Sequence, residues 1–262
     1  MYSLFTMLAY TLPLVLSEMP EPVDLTHTYD EDTLHFSVYR SFNLTKVYMQ
    51  GVNTFFSSND FQTAEHLGTH MDAPYHFNPD GVRVDEILVS RFIGQAVIVD
   101  LRTKAQADPE YLVTPEDFIG WERRYGPIPK GAIIILDFGW AVKYTNPQEF
   151  FGTANINDYT TYRFPGLSVA GARWLINTGR VYGVGTDTAS IDCGRSTDFP
   201  AHKVLSKTTI YNLEMVALPK EPLPPTGFQI AALPMKIREG TGAPVRILAI
   251  PNPFLQHTNM PL

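Results

Sequence analysis

Residues 66 to 76 read HLGTHMDAPYH and hold three of the chain's seven histidines beside an aspartate. His66, His70, Asp72 and His76 are all even-numbered, so in an extended chain they project to one side. A helix would also bring His66 and His70 together, but Gly68 and Pro74 both disfavour helix. A straight strand separates the Cα atoms of two residues four apart by about 13 Å. Each imidazole has to come within about 2.1 Å of a zinc ion to bind it, so the chain must bend, and Gly68 supplies the bend. Asp72 needs no such distortion to join His70. His66, His70 and Asp72 then form a two-histidine, one-carboxylate set that leaves coordination positions open for water and substrate. His76 reads either as a further ligand or as a free imidazole beside the ion. We take it as the free imidazole, because a histidine titrating near neutrality is the natural general acid and base.

The elements that must position these groups follow from periodicity and breakers. Val23 to Thr26 and Val47 to Val52 read as short strands. The runs AVIVDL (Ala96 to Leu101) and AIIILDF (Ala132 to Phe138) are continuous and β-branched, the pattern of strands covered on both faces. Between them Thr114 caps a helix that begins at Pro115, carries Asp117 three residues after the cap and ends near Gly126. LSVAGARWLINT (Leu167 to Thr178) has helical spacing, with Ser168 as cap and Gly179 as stop. VYGVGTDT (Val181 to Thr188) is a third buried strand leading into a loop. Pro225 to Ile237 and Val245 to Asn252, separated by the glycine-rich REGTGAP, form a hairpin. Strands alternating with helices predict a mixed α/β fold.

Composition narrows the function classes. The chain has 262 residues, a net charge of -7 and 20 scattered Lys and Arg residues, which argues against a nucleic-acid surface and for a small-molecule partner. Cys193 is the single cysteine, so a disulfide within the chain and a cysteine-rich metal site are excluded, and any metal must be held by His, Asp and Glu. The apolar run from Leu4 to Leu16 is too short to span a bilayer of about 30 Å as a helix and fits the core of a secretory signal peptide. Residues 1–18 are therefore expected to be a leader that sends the protein outside the cell, with residues 19–262 as one folded domain; an uncleaved leader would leave it cytoplasmic. Asn43-Leu44-Thr45 is a sequon for that route.

The pattern His66-x-Gly68-Thr69-His70-x-Asp72-x-Pro74-x-His76 resembles the signature of the bacterial-type kynurenine formamidase and putative cyclase family, which includes isatin hydrolases. The likeness extends through VDLTH (Val23 to His27), YRFPGLS (Tyr162 to Ser168), GTDTASID (Gly185 to Asp192) and LPMKI. Family members carry a later histidine and a glutamate twelve residues beyond it, here His202 and Glu214. The resemblance implies the small swivelling β/β/α fold, a mixed sheet with flanking helices, in a homodimer or larger homo-oligomer. It also implies that His66, His70 and Asp72 hold a first metal, that Asp72 bridges to a second completed by His202 and Glu214, and that His76 is the catalytic acid and base. Members bind zinc, often two ions, or manganese, and these ligand types do not choose between them. Isatin-type members can carry glutamine where Glu214 stands, so Glu214 leans toward the two-metal formamidase pattern. Phe36 falls near the tryptophan that many members place after the opening strand, so an aromatic wall is kept and substrate-binding is expected there. Phe55, Phe56 and Phe61 read equally as pocket lining or core, as does Trp140.

A divalent ion at such a site lowers the pKa of water from 15.7 toward about 7 and polarises a carbonyl. The expected activity is hydrolysis of a small aryl amide, with N-formylkynurenine as the leading substrate and isatin, or a related cyclic amide or lactone, as the alternative. A secreted homologue that binds metal without catalysis is the competing class. Retention of His76, which metal binding alone does not require, favours the enzyme.

Overall fold

A computed structural model describes residues 21–51 and 54–252; the proposed leader lies outside these residues. In chain order the strands are β1 (Val23–Asp24), β2 (Asn43–Gly51), β3 (Thr54–Gln62), β4 (His70–Asp72), β5 (Ile93–Asp100), β6 (Leu112–Val113), β7 (Ala132–Asp137), β8 (Gly166–Leu167), β9 (Val181–Thr186), β10 (Tyr211–Glu214), β11 (Phe228–Pro234) and β12 (Gly242–Pro251). The helices are α1 (Arg102–Ala107), α2 (Pro115–Tyr125), α3 (Pro147–Phe151), α4 (Val169–Thr178) and α5 (Pro200–Leu205).

One large mixed sheet runs β1-β12-β11-β5-β7-β9-β10-β4. It closes on itself because β4 pairs with β10 on one side and with the start of β12 on the other. The β5-β7-β9-β10 stretch is parallel, while β4, β11 and β12 pair antiparallel. The result is a mixed α/β fold, as the alternation of strands and helices predicts, with a barrel-like closure and few helices that the alternation does not predict.

The β-branched runs are explained by two apolar layers. Val97, Val99, Ile134 and Leu136 face outward onto Phe118 and Trp121 of α2 and Leu175 of α4. Their strand neighbours Ile98, Ile133 and Ile135 face inward, against Leu213, Ile230 and Ile247 across the ring. Strands covered on both faces have no solvent side to mark with polar residues. The helix boundaries follow their caps: the Asp117 side chain accepts from the Thr114 backbone N–H at 2.7 Å, and the Ser168 hydroxyl accepts from Gly171 N–H at 3.0 Å. After β7 the chain turns at residues 138–141 around the buried Asp187 carboxylate, which accepts from the backbone N–H groups of Phe138, Trp140 and Ala141.

Two expectations need correction. Residues 47–51 are strand, but as part of a longer hairpin, β2 with β3, that pairs with no other strand among the described residues; Val52 lies outside the described residues. Phe55, Phe56 and Phe61 of β3 line neither pocket nor core and are 93%, 52% and 54% exposed. Strand spacing puts Phe55 and Phe61 on one face and Phe56 on the other. The hairpin is anchored at its root, where Phe42 packs on Phe61 and Tyr29. Trp140 is core: it is buried, with its indole N–H donating to Phe150 O.

Candidate metal centre

The motif opens with a bend and continues as the closing strand. Gly68 has φ +56, and a Cβ there would come within 2.8 Å of Thr33 Cγ2, so the turn after His66 favours glycine both in torsion and in space. His70 and Asp72 then sit two apart on β4, on one side of the strand. On β10, Glu214 is the register partner of His70, and α5 carries His202 in from the opposite side. The first turn of α5 follows Phe199, which takes a left-handed conformation at φ 51, uncommon for a residue with a bulky side chain.

The five expected ligands, His66, His70, Asp72, His202 and Glu214, are therefore brought together although they span 149 positions, and all are buried. His66 Nδ1 lies 2.7 Å from Asp72 Oδ1. His70 Nε2 lies 3.3 Å from Asp72 and 3.4 Å from Glu214. His202 Nε2 lies 3.1 Å from Asp72 Oδ2 and 3.0 Å from Glu214 Oε1. Two overlapping groups have ligand atoms within 4.8 Å of one another: His66, Asp72 and His76, and His70, Asp72 and Glu214. Asp72 is common to both. The Pro74–His76 turn folds the His76 ring onto His66, with centroids 3.8 Å apart.

The ring nitrogens on the far side of each ligand are also engaged. His70 Nδ1 donates to Gly68 O at 2.8 Å, His202 Nδ1 to the Asp192 carboxylate at 2.7 Å, and His66 Nε2 lies 2.7 Å from Thr241 Oγ1. Gly68 O and the Asp192 carboxylate only accept, so they hold the proton on the outer nitrogen and leave the inner lone pair facing Asp72 and Glu214. Lone pairs facing carboxylate oxygens at about 3 Å are stable only with positive charge between them.

The titration behaviour shows the same demand. Burial opposes charging His70, yet the Asp72 and Glu214 carboxylates beside it outweigh that and push it up to about 10. Burial likewise opposes charging His202, and Asp192, Asp72 and Glu214 raise it well above the usual histidine range. Burial would raise Asp72, but His66, His202 and His70 hold it well below the usual carboxylate range. The cluster draws in cations, and its nitrogen and oxygen donors suit a divalent metal. His76 does not titrate near neutrality as expected: burial lowers it to about 4 and leaves it neutral at pH 7.

A cavity of about 190 Å³ opens onto these groups. Its wall away from the ligands is aromatic: Phe36, as expected, with Phe77, Tyr159 and Phe199. Phe77 packs 5.4 Å from Phe199 and 4.5 Å from His202. Tyr39 and Ser190 also line it. Several of these were not singled out in the sequence. Asp192 stands in the GTDTASID stretch and Phe77 directly follows His76, so both carried a local signal; Phe199 and Tyr159 carried none.

Fold and site together define a barrel-like α/β protein built around a buried histidine-carboxylate metal centre. The chain belongs to the putative cyclase family, whose model matches residues 23–193. It is 30% identical over 205 residues to an isatin hydrolase of Roseibium aggregatum, covering 75% of each chain. It is 32% identical over 181 residues to a kynurenine formamidase of Salinibacter ruber, covering 69% of this chain and 74% of that one. Among solved structures it resembles isatin hydrolase A from Ralstonia solanacearum, with TM-score 0.80 and 28% identity over 87% of this chain and 91% of that one.

Proposed function

We propose that the protein is a metal-dependent hydrolase of C–N bonds other than peptide bonds, acting on a small aryl amide. The observation that carries this reading is the joining of two features in one cavity: a cation-demanding cluster and, facing it, a wall of Phe36, Phe77 and Phe199. A cavity of about 150 Å³ lined by apolar side chains accommodates benzene, so the volume here suits one benzenoid ring with small substituents. A divalent ion, when bound by His66, His70, Asp72, His202 and Glu214, supplies a nucleophilic hydroxide at neutral pH and polarises the scissile carbonyl.

The chain's own residues do the rest. The aromatic wall orients the ring so that the amide faces the ligands, and the burial of the ligands keeps bulk water from screening the charge that develops there. His76, neutral at pH 7, accepts a proton at a ring nitrogen and returns it to the departing amine nitrogen. N-formylkynurenine, giving kynurenine and formate, is the leading substrate, in keeping with Glu214 and with the kynurenine formamidases among the relatives. The second reading, ring opening of isatin, is favoured by the isatin hydrolases among the similar structures and by the small cavity. Zinc is the proposed metal and manganese the alternative, as one ion or as two bridged by Asp72. The deciding assay loads purified protein with each metal and follows both substrates: turnover of one names the substrate class, and turnover of neither rejects the assignment.

We further infer that the protein works as a homodimer. An isolated two-stranded hairpin is marginal in water, and one that exposes Phe55, Phe56 and Phe61 calls for a second copy to cover it. Residues 19–262 are read as one hydrolase domain. Export through the 1–18 leader is part of the same proposal; N-terminal sequencing of protein recovered from the medium tests it, and Asn43 is exposed at the start of β2.

A further inference from the structure

We propose that the glycine-rich turn between β11 and β12, through the Thr241 hydroxyl and the Glu65 carboxylate, positions His66 by fixing which of its nitrogens faces the metal centre. The inference rests on the hydrolase reading above and extends it to two residues outside the ligand set.

Thr241 has one hydroxyl proton, and it goes to Glu65: Thr241 Oγ1 donates to Glu65 Oε2, and the Thr241 backbone N–H donates to the same oxygen at 3.1 Å. A carboxylate only accepts, so the direction of the first bond is set. With its proton spent, the hydroxyl can only accept from His66 Nε2, 2.7 Å away. Nε2 therefore carries a proton, and Nδ1, which faces Asp72 Oδ1 at 2.7 Å, is the nitrogen left for a metal to take. Reversing either bond would put two acceptors or two donors face to face. Glu65 and Thr241 thus do for His66 what Asp192 does for His202, with a hydroxyl inserted between carboxylate and imidazole.

The turn is built to sit there. Thr241 O accepts from Ala73 N–H at 2.9 Å, and Gly242 pairs with Asp72 across the β12–β4 seam. A Cβ at Gly242 would lie 2.5 Å from His66 Cε1 and 2.4 Å from Met71 O, so no side chain fits while His66 occupies this place. A hairpin that only reversed the chain would not need a hydroxyl and a bare backbone pressed against a ligand ring.

The test measures metal affinity by chelator competition and metal content by elemental analysis on wild type, Thr241→Val and Thr241→Ser. Thr241→Val keeps shape and backbone bonds but removes the acceptor, and it is expected to weaken metal binding about 10- to 100-fold. Thr241→Ser restores the hydroxyl and is expected to bind close to wild type. Long-range ¹H–¹⁵N spectra of zinc-loaded wild type read the tautomer directly, without relying on any variant, and should show His66 protonated at Nε2. Wild-type affinity in Thr241→Val, even with lowered thermal stability, would reduce the turn to a structural role and overturn the inference. A proton on Nδ1 of His66 would do the same. Wild-type protein that takes up no divalent ion would instead overturn the hydrolase reading, and this inference with it.

Discussion

At the scale of single residues, function is divided among histidines by what their outer nitrogens touch. His66, His70 and His202 each have theirs tied to an acceptor, whereas His76 is held by stacking on His66 and an edge contact with Phe77. A His76→Ala variant is accordingly expected to keep its metal and lose about 10²- to 10⁴-fold in kcat. Loss of metal along with activity would show His76 to be a ligand instead. Away from the site, Asp187 is fully buried next to Asp137, and burial followed by that second carboxylate raises it to about 7. Its folded pKa lies above the unfolded value of 3.8, so the folded state binds the extra proton between these pH values. Stability from this group is thus present at low pH and lost as pH rises from about 4 to 7, a change on the order of a few kcal/mol. Comparing denaturation midpoints of wild type and Asp187→Asn across that range checks this: the difference should drift against wild type up to pH 7 and then level off.

At the scale of elements, legibility in the sequence tracked how local the cause was. The two main helices announced themselves because caps and stops lie within a few residues of one another, as with Thr114 and Asp117. The central strands did so because burial on both faces leaves an unbroken apolar run. The ligand cluster was legible because four chelating groups share eleven residues, and His202 and Glu214 came only through family resemblance. The remainder depends on long-range pairing. β3, reading TFFSSNDFQ, has neither alternation nor a buried face to betray a strand, and β4 is three residues long. Thr241 and Glu65 meet 176 positions apart, and no spacing rule reaches that far. The hairpin also carries a prediction. Phe55→Ser combined with Phe56→Ser should leave the metal content unchanged but turn a dimer into a monomer by light scattering. A double variant that stays dimeric places the contact elsewhere.

At the scale of the whole molecule, the metal centre and the closure of the sheet are the same place. β4 supplies His70 and Asp72 and is also the strand joining β10 to β12. A ligand that binds only the folded chain at 100 times its Kd adds about 2.7 kcal/mol. Chelation should therefore lower Tm by several degrees, with recovery on adding zinc or manganese; an unchanged Tm would separate the centre from the seam. Among the described residues no helix is long and apolar enough to cross a membrane.

The position of that seam also sets an order of events in time. His70 meets Glu214 and Pro244, so the ligand shell exists only after the most distant strands have docked, contacts that cost the most chain entropy and form late. A chain still searching for its fold has little for an ion to hold, while a finished one must release the ion before the ring can open. Metal should thus leave the refolding rate almost untouched and slow unfolding, acting as a latch that secures the barrel once it is shut.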